Sequence, residues 1–283
     1  MMTQDEMLLE LGSDLSLRYQ WFCPASMSHP AKLHVGLVEW LVQHYTRPGE
    51  TIADPMAGIG STLLAATSQR QVIAREIEPK WLEVLRDNAR RISTMAGLFG
   101  GSIDIGQADA CLPWDYRTDH ILFSPPYGCA AAASPNARRM LPYRLHNSPG
   151  TYGERWKRFA EHPTPGSTGA VVFHYGTHAA QIGHLRGTRY WQAMNQVYTQ
   201  AKDALRPGGR MMVVVKDHIL HGERVHTADQ TVERCQRIGF LLCHRHRRHV
   251  SPLSLWQRRR KEAGLPVIEE EDVLIFTYEG VSL

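Results

Sequence analysis

The stretch Thr51-Ile52-Ala53-Asp54-Pro55-Met56-Ala57-Gly58-Ile59-Gly60-Ser61-Thr62 decides how the chain is read. A short apolar run enters a glycine-containing loop, and Leu63, Leu64 and Ala66 then recur as on a helix. Strand, glycine loop and helix in that order make a nucleotide-type βα unit. Gly58 and Gly60 let the backbone approach a ligand, and the helix start offers free N–H groups. A dinucleotide fingerprint wants a third glycine at position 63, where Leu63 stands, which disfavours an NAD-dependent dehydrogenase.

The same alternation continues on both sides. Upstream, Leu33, Leu37, Trp40 and Leu41 share a helical face that ends at Arg47-Pro48-Gly49. Downstream, residues 71–76 read as a strand, followed by a helix with Trp81, Val84, Leu85, Asn88 and Ile92 on one face. Residues 102–107 and 120–123 are the next strands. After a proline-rich interruption at 128–188, a helix carrying Trp191, Met194, Val197, Ala201 and Leu205 closes at Arg206-Pro207-Gly208-Gly209 before a strand at 211–215. Thr227 with Gln230 reads as a capping box for a helix that ends at Gly239. Strands at 240–243 and 272–278, joined without a helix, complete the set. The expectation is an α/β fold: a doubly wound, mostly parallel, seven-stranded sheet with an antiparallel C-terminal hairpin, in a single domain over 1–283.

Composition narrows the class. With 283 residues, 43% of them hydrophobic, the chain can bury a full α/β core. Asp5, Glu6, Glu10 and Asp14 stand where a secretory leader needs a basic flank and an unbroken apolar core. The longest apolar runs are far too short to span a bilayer, so no membrane partner is expected. Five scattered cysteines without a C-x-x-C pair point to a reduced, cytoplasmic setting. A net charge of +4 permits a polyanionic partner.

Three strand ends carry polar residues of the right kind for a nucleoside pocket. Asp54 ends the first strand, Glu76 the second, where an acid accepts from ribose hydroxyls, and Asp109 follows the third, where a carboxylate accepts from an adenine amine. A fourth strand runs into Ser124-Pro125-Pro126-Tyr127, a loop stiffened by two fixed φ angles and flanked by a hydroxyl and an aromatic ring.

Taken in order, these motifs resemble the S-adenosylmethionine-dependent amino-methyltransferases acting on DNA, whose signatures are a D-P-F-x-G-S-G-T-like loop and an (S/D/N)-P-P-(Y/F) loop. Met56 replaces the usual Phe and Ile59 the usual Ser. His29-Pro30-Ala31-Lys32 looks like the family's N-terminal cofactor-contacting segment, and Arg206-Pro207-Gly208-Gly209 is similar to its turn before the fifth strand. The resemblance covers roughly residues 21–278 and implies a Rossmann-like class I methyltransferase. It implies cofactor binding by His29, Pro30 and Lys32, by Asp54, Pro55, Met56, Gly58, Gly60, Ser61 and Thr62, and by Glu76, Ile77, Asp109 and Ala110. The implied catalytic set is Ser124, Pro125, Pro126 and Tyr127, acting on a base flipped out of double-stranded DNA without a metal. The resemblance associates S-P-P-Y with cytosine N4. Adenine N6, an RNA base amine and a catalytically inactive DNA-binding relative are the alternatives, and a companion restriction enzyme is a further partner.

Two basic regions are assigned to nucleic acid. The insertion at 128–188, read as a recognition or lid segment, interleaves Arg138, Arg139 and Arg155 with aromatic residues. The connection at 243–271 carries Arg245, Arg247, Arg258, Arg259 and Arg260, with no acid between 243 and 261, and is read as contacting phosphates. Cys243, His244, His246 and His249 lie close enough in sequence to be weighed as zinc ligands, but strand alternation points 244 and 246 one way and 243 and 249 the other.

Overall fold

The computed structural model describes residues 6–126, 175–220, 223–250 and 255–278. The apolar runs of the βα units form the parallel strands β2 (Thr51–Asp54), β3 (Gln71–Glu76), β4 (Ile103–Gln107) and β5 (Thr118–Phe123), joined by β6 (Leu205–Val215). A two-residue strand, β1 (Leu8–Leu9), a small hairpin of β7 (His218–Leu220) and β8 (Glu223–Val225), and the long strands β9 (Leu241–His249) and β10 (Glu270–Thr277) complete the described set. The main sheet has the order β1-β9-β10-β6-β5-β2-β3-β4. Only β10 runs antiparallel within it, pairing with both β6 and β9. The doubly wound, mostly parallel sheet with an antiparallel C-terminal pair is therefore present, with β1 added at one edge.

Alternation within each strand feeds two cores. Met212 and Val214 face one side with Ile52, Val72, Leu122 and Ile275, against α2 (Val35–Tyr45), the 3-10 turns of Ser61–Ser68 and α3 (Pro79–Ala96). Met211, Val213 and Val215 face the other with Ala53, Ile121, Phe123 and Leu274, against α4 (Gly187–Ala204) and α5 (Thr227–Ile238). Covering both faces is what a sheet of nearly continuous apolar strands requires. Strand order reverses between β2 and β5, and the loops that leave their carboxyl ends diverge to open a crevice there.

Several local expectations are corrected. Thr227 is the first helical residue of α5 and not its cap; His226 holds the cap position without a side-chain bond. The buried Asp217 carboxylate instead takes the Ala228 N–H at 3.1 Å, so one free donor of this helix is satisfied by a residue outside it. The last two strands are joined through a helix, α6 (Leu255–Glu262). Arg206-Pro207-Gly208-Gly209 is drawn into the start of β6, whose pairing with β5 shifts register between Thr118 and His120.

Arg70 locks the second βα unit to α2. Its buried guanidinium donates to Thr46 Oγ1 at 2.9 Å, the Thr46 carbonyl at 2.8 Å, the Val42 carbonyl at 3.2 Å and the Ser68 carbonyl at 2.6 Å. These include the Thr46 carbonyl at the cap of α2, where a cation is also favoured. Arg70→Met keeps the apolar stem but removes the donor from the Thr46 and Ser68 carbonyls, and is expected to lower the unfolding free energy by about 3 kcal/mol in urea titrations.

Candidate active site

Two buried carboxyls shape the loop after β2. Asp54 Oδ1 accepts the Met56 N–H at 3.0 Å and Oδ2 the Thr62 hydroxyl at 2.8 Å. Glu76 Oε2 accepts the Gly58 N–H at 2.7 Å and Oε1 the Glu78 N–H at 2.9 Å. Gly58 sits at φ +55°, and a Cβ there would come 3.1 Å from the His29 ring. Gly60, at φ +84°, would place a Cβ 2.4 Å from Leu85. The first glycine thus serves close approach between two loops and the second serves packing of the loop onto α3.

A cavity of about 320 Å³ opens beyond the strand ends. It gathers His29, Pro30 and Lys32; Asp54, Pro55, Met56, Gly58 and Ser61; Glu76 and Ile77; Asp109 and Ala110; and Ser124, Pro125 and Pro126. Residues assigned from five separate stretches therefore share one space. Gly60 and Thr62 are not among its lining residues; Thr62 reaches it through its hydroxyl bond to Asp54. Tyr127, Arg138, Arg139 and Arg155 lie outside the described residues. Sequence reasoning missed Trp81, Tyr175, Gln181, Lys216 and Glu271, which also line it. Of these, Trp81 was read only as a core position on its helix.

The electrostatics are set mainly by burial. Burial pushes the Asp54 carboxyl up to about 7, against the bonds from Thr62 and Met56, which favour its charged form. Burial raises Glu76 as well, opposed by the Glu78 and Gly58 N–H groups. His29 is pushed down to about 4, so its imidazole is neutral near pH 7; its Nδ1 bonds the Ala31 carbonyl and its ring meets Trp81 edge-on at 4.5 Å. Lys32 donates to the His29 carbonyl at 2.5 Å and the Met27 carbonyl at 3.3 Å, which pins its own loop against the cavity.

The basic run behaves differently from its expected role. Arg245 pairs with Asp272 at 2.8 Å and Asp229 at 2.7 Å, and Arg247 with Glu270 at 3.0 Å and Glu6 at 2.7 Å. Arg248 is buried against Glu271 at 2.6 Å. Acids absent from the run itself are delivered by β10 and by neighbouring segments, so Arg245 and Arg247 are ion-paired within the fold and are not free cations. Arg260 donates to the Pro266 carbonyl, and Arg258 is exposed on α6. His246 bonds the Tyr45 hydroxyl at 2.5 Å with His244 stacked beside it, and no cluster of three metal-ligating side chains occurs among the described residues. No described helix is long and apolar enough to cross a membrane.

Residues 15–87 match the N6/N4 methyltransferase family model, described as DNA methylase. The matched segment runs from α1 (Leu15–Trp21) into α3, and so contains the His29–Lys32 segment, the Asp54 loop and Glu76 but not Ser124. It supports a methyltransferase. A comparison of the sequence with curated proteins finds no match. Among solved structures, TrmN from Thermus thermophilus is similar at 18% identity and a TM-score of 0.46 over 90% of this chain, which spans about half (52%) of TrmN. A SAM-dependent methyltransferase from Methanosarcina mazei is similar at 10% identity and 0.48, over 84% of this chain and 96% of that one. A precorrin-6y C5,15-methyltransferase from Geobacter metallireducens stands at 12% and 0.47, over 94% and 97%.

A methylase match makes S-adenosylmethionine the cofactor to test against the cavity, and the residues fit it. Carboxyls line it at the ends of β2 and β3 and just past β4, and the buried Ser61 Oγ, at the start of the 3-10 turns, has no protein partner and faces the lining.

The shift at Asp54 has a measurable sign. Its folded value lies above the ordinary 3.8, so its contribution to stability is complete below about pH 4 and is lost as pH rises through about 7. Relative to an Asp54→Asn protein, the wild type is expected to lose about 4 kcal/mol of unfolding free energy between pH 4 and pH 8. Parallel pH profiles in urea unfolding would mean that Asp54 is ionised throughout.

Proposed function

We propose that this protein transfers a methyl group from S-adenosylmethionine to an exocyclic amine of a base in double-stranded DNA, with cytosine N4 as the target. The observation that carries the reading is the shared cavity, in which the loop and acids at the ends of β2, β3 and β4 meet Ser124-Pro125-Pro126 at the end of β5. Cofactor and amine would then meet at the switch point of the sheet. On this reading Asp54 and Glu76 hold the loop that receives the cofactor, Asp109 accepts from its adenine amine, and Ser61 offers a hydroxyl.

The cofactor supplies an activated methyl group on a sulfonium. The chain must do the rest. An exocyclic amine is a poor nucleophile because its lone pair is delocalised into the ring. Ser124 Oγ and the Pro125 carbonyl can accept from its two N–H groups and favour the rehybridised form. The fixed φ angles of Pro125 and Pro126 hold those acceptors in place, which supplies orientation. The N–CH3 bond forms as the S–CH3 bond breaks, and the surplus proton leaves the nitrogen for solvent. Tyr127 is assigned the stacking face for the flipped base. The 128–188 segment, within one 1–283 domain, is assigned the reading of sequence, with Arg138, Arg139 and Arg155 among its contacts.

Mass spectrometry of nucleosides from duplex DNA treated with the protein should show N4-methylcytosine. N6-methyladenine alone would change the base, and methylation confined to RNA would change the substrate class. Ser124→Ala should bind S-adenosylmethionine as wild type in calorimetry yet lose about 100-fold or more in turnover, the scale of losing one transition-state hydrogen bond.

A further inference from the structure

One corner of the cavity is left unused by the residues above. Lys216, the first residue past β6, lines the cavity with Ser124, Pro125, Pro126 and Glu271. Strand register fixes its neighbours. β6 runs parallel to β5 with Val213 beside Phe123, and antiparallel to β10 with Val215 opposite Asp272. Continuing both ladders sets Lys216 beside the Pro125-Pro126 turn on one side and Glu271 on the other. The sheet order β6-β5-β2-β3-β4 then places Lys216 on the opposite side of the Ser124 loop from Glu76 and Asp109.

The ammonium there forms no ion pair among the described residues. Glu271 is engaged by Arg248 Nε at 2.6 Å, and among the described residues no acceptor lies within hydrogen-bonding distance of Lys216 Nζ. Burial pulls the lysine below its ordinary range; Glu271 opposes that shift and Arg248 adds to it. A lysine head offers three donors and no acceptor, and Lys216 is half-buried, so these donors remain available to a ligand in the cavity. These donors suit a ligand that brings an acceptor oxygen to the side of the Ser124 loop away from the cofactor acids.

Resting on the function proposed above, we propose that Lys216 donates to an acceptor oxygen of the extruded nucleotide, either the base carbonyl or the adjoining phosphate. Cytosine carries a ring carbonyl and adenine none, so contact to the base would favour cytosine.

The test uses the full chain with a duplex oligonucleotide and three proteins: wild type, Lys216→Met and Lys216→Arg. Lys216→Met should raise the KM for the oligonucleotide at least tenfold while the calorimetric Kd for S-adenosylmethionine stays within twofold, and Lys216→Arg should recover most of the loss. A salt slope smaller by about one assigns the contact to a phosphate. An unchanged slope with a narrowed cytosine-over-adenine preference assigns it to the base carbonyl. Weakened cofactor binding with unchanged KM would overturn the inference in favour of the cofactor carboxylate, and no change in either would reduce Lys216 to packing. Should Lys216→Met not fold, amine-reactive footprinting of the wild type decides instead: protection of Lys216 by the oligonucleotide is expected, and protection by S-adenosylmethionine alone overturns the inference. A wild-type protein that methylates no base brings down the function itself and this inference with it, whereas the other outcomes strike at Lys216 alone.

Discussion

The site depends on two buried carboxyls that close one loop. Without Glu76, the Gly58 and Glu78 N–H groups would lose their acceptor, and without Asp54, the Met56 N–H and the Thr62 hydroxyl would lose theirs. Burying two acids on adjacent strands is expensive, and each raises the other's affinity for a proton when charged. Four donors at 2.7 to 3.0 Å offset that cost. The backbone of residues 54–60 is thereby held open toward the cavity before any ligand arrives, which is what preorganisation requires.

From that loop the constraint spreads in two directions. Asn88 on α3 donates to the Ile59 carbonyl at 2.7 Å and to Ser26 Oγ at 2.8 Å, and accepts the Cys23 N–H at 2.8 Å. The loop and the segment that leads to His29 are thus tied to one buried amide. At the start of α3, Glu78 accepts from Thr177 N at 3.0 Å, His178 N at 3.0 Å and Gln181 Nε2 at 3.1 Å, and Trp81 Nε1 donates to the Tyr175 carbonyl. The chain returning at 175 is rooted one turn from Glu76, so a single helix start organises both the acid at the end of β3 and the wall formed by Tyr175 and Gln181. Changes at Glu78 should therefore act on the cavity from two sides.

What could be read from the sequence was whatever local chemistry dictates. The βα units, Gly239 as a left-handed helix end at φ +104°, and the polar residues at strand ends are set within a few residues of one another. Features that depend on distant partners were not legible in the same way. Thr227 and Gln230 have the spacing of a capping box, yet Asp217 reaches the helix start from ten residues before it. Arg245 and Arg247 read as free cations because their acids lie on β10, α5 and the N-terminal segment. Lys216 lies in an unremarkable Val-Lys-Asp run, and only the pairing of β6 with β5 and β10 brings it to the cavity.

The pairing along β9 and β10 also changes where a polyanion could be held. An arginine already bonded to a carboxylate must give up that partner, or share it, to take a phosphate, so the net gain is small. Arg245, Arg247 and Arg248 are in that position. Lys216 lines the cavity beside the Ser124 loop, the place that the proposed function gives to the target base. On the proposed function, these paired arginines would therefore add little to the hold on a polyanion, whereas Lys216 could add its donors without giving up a partner.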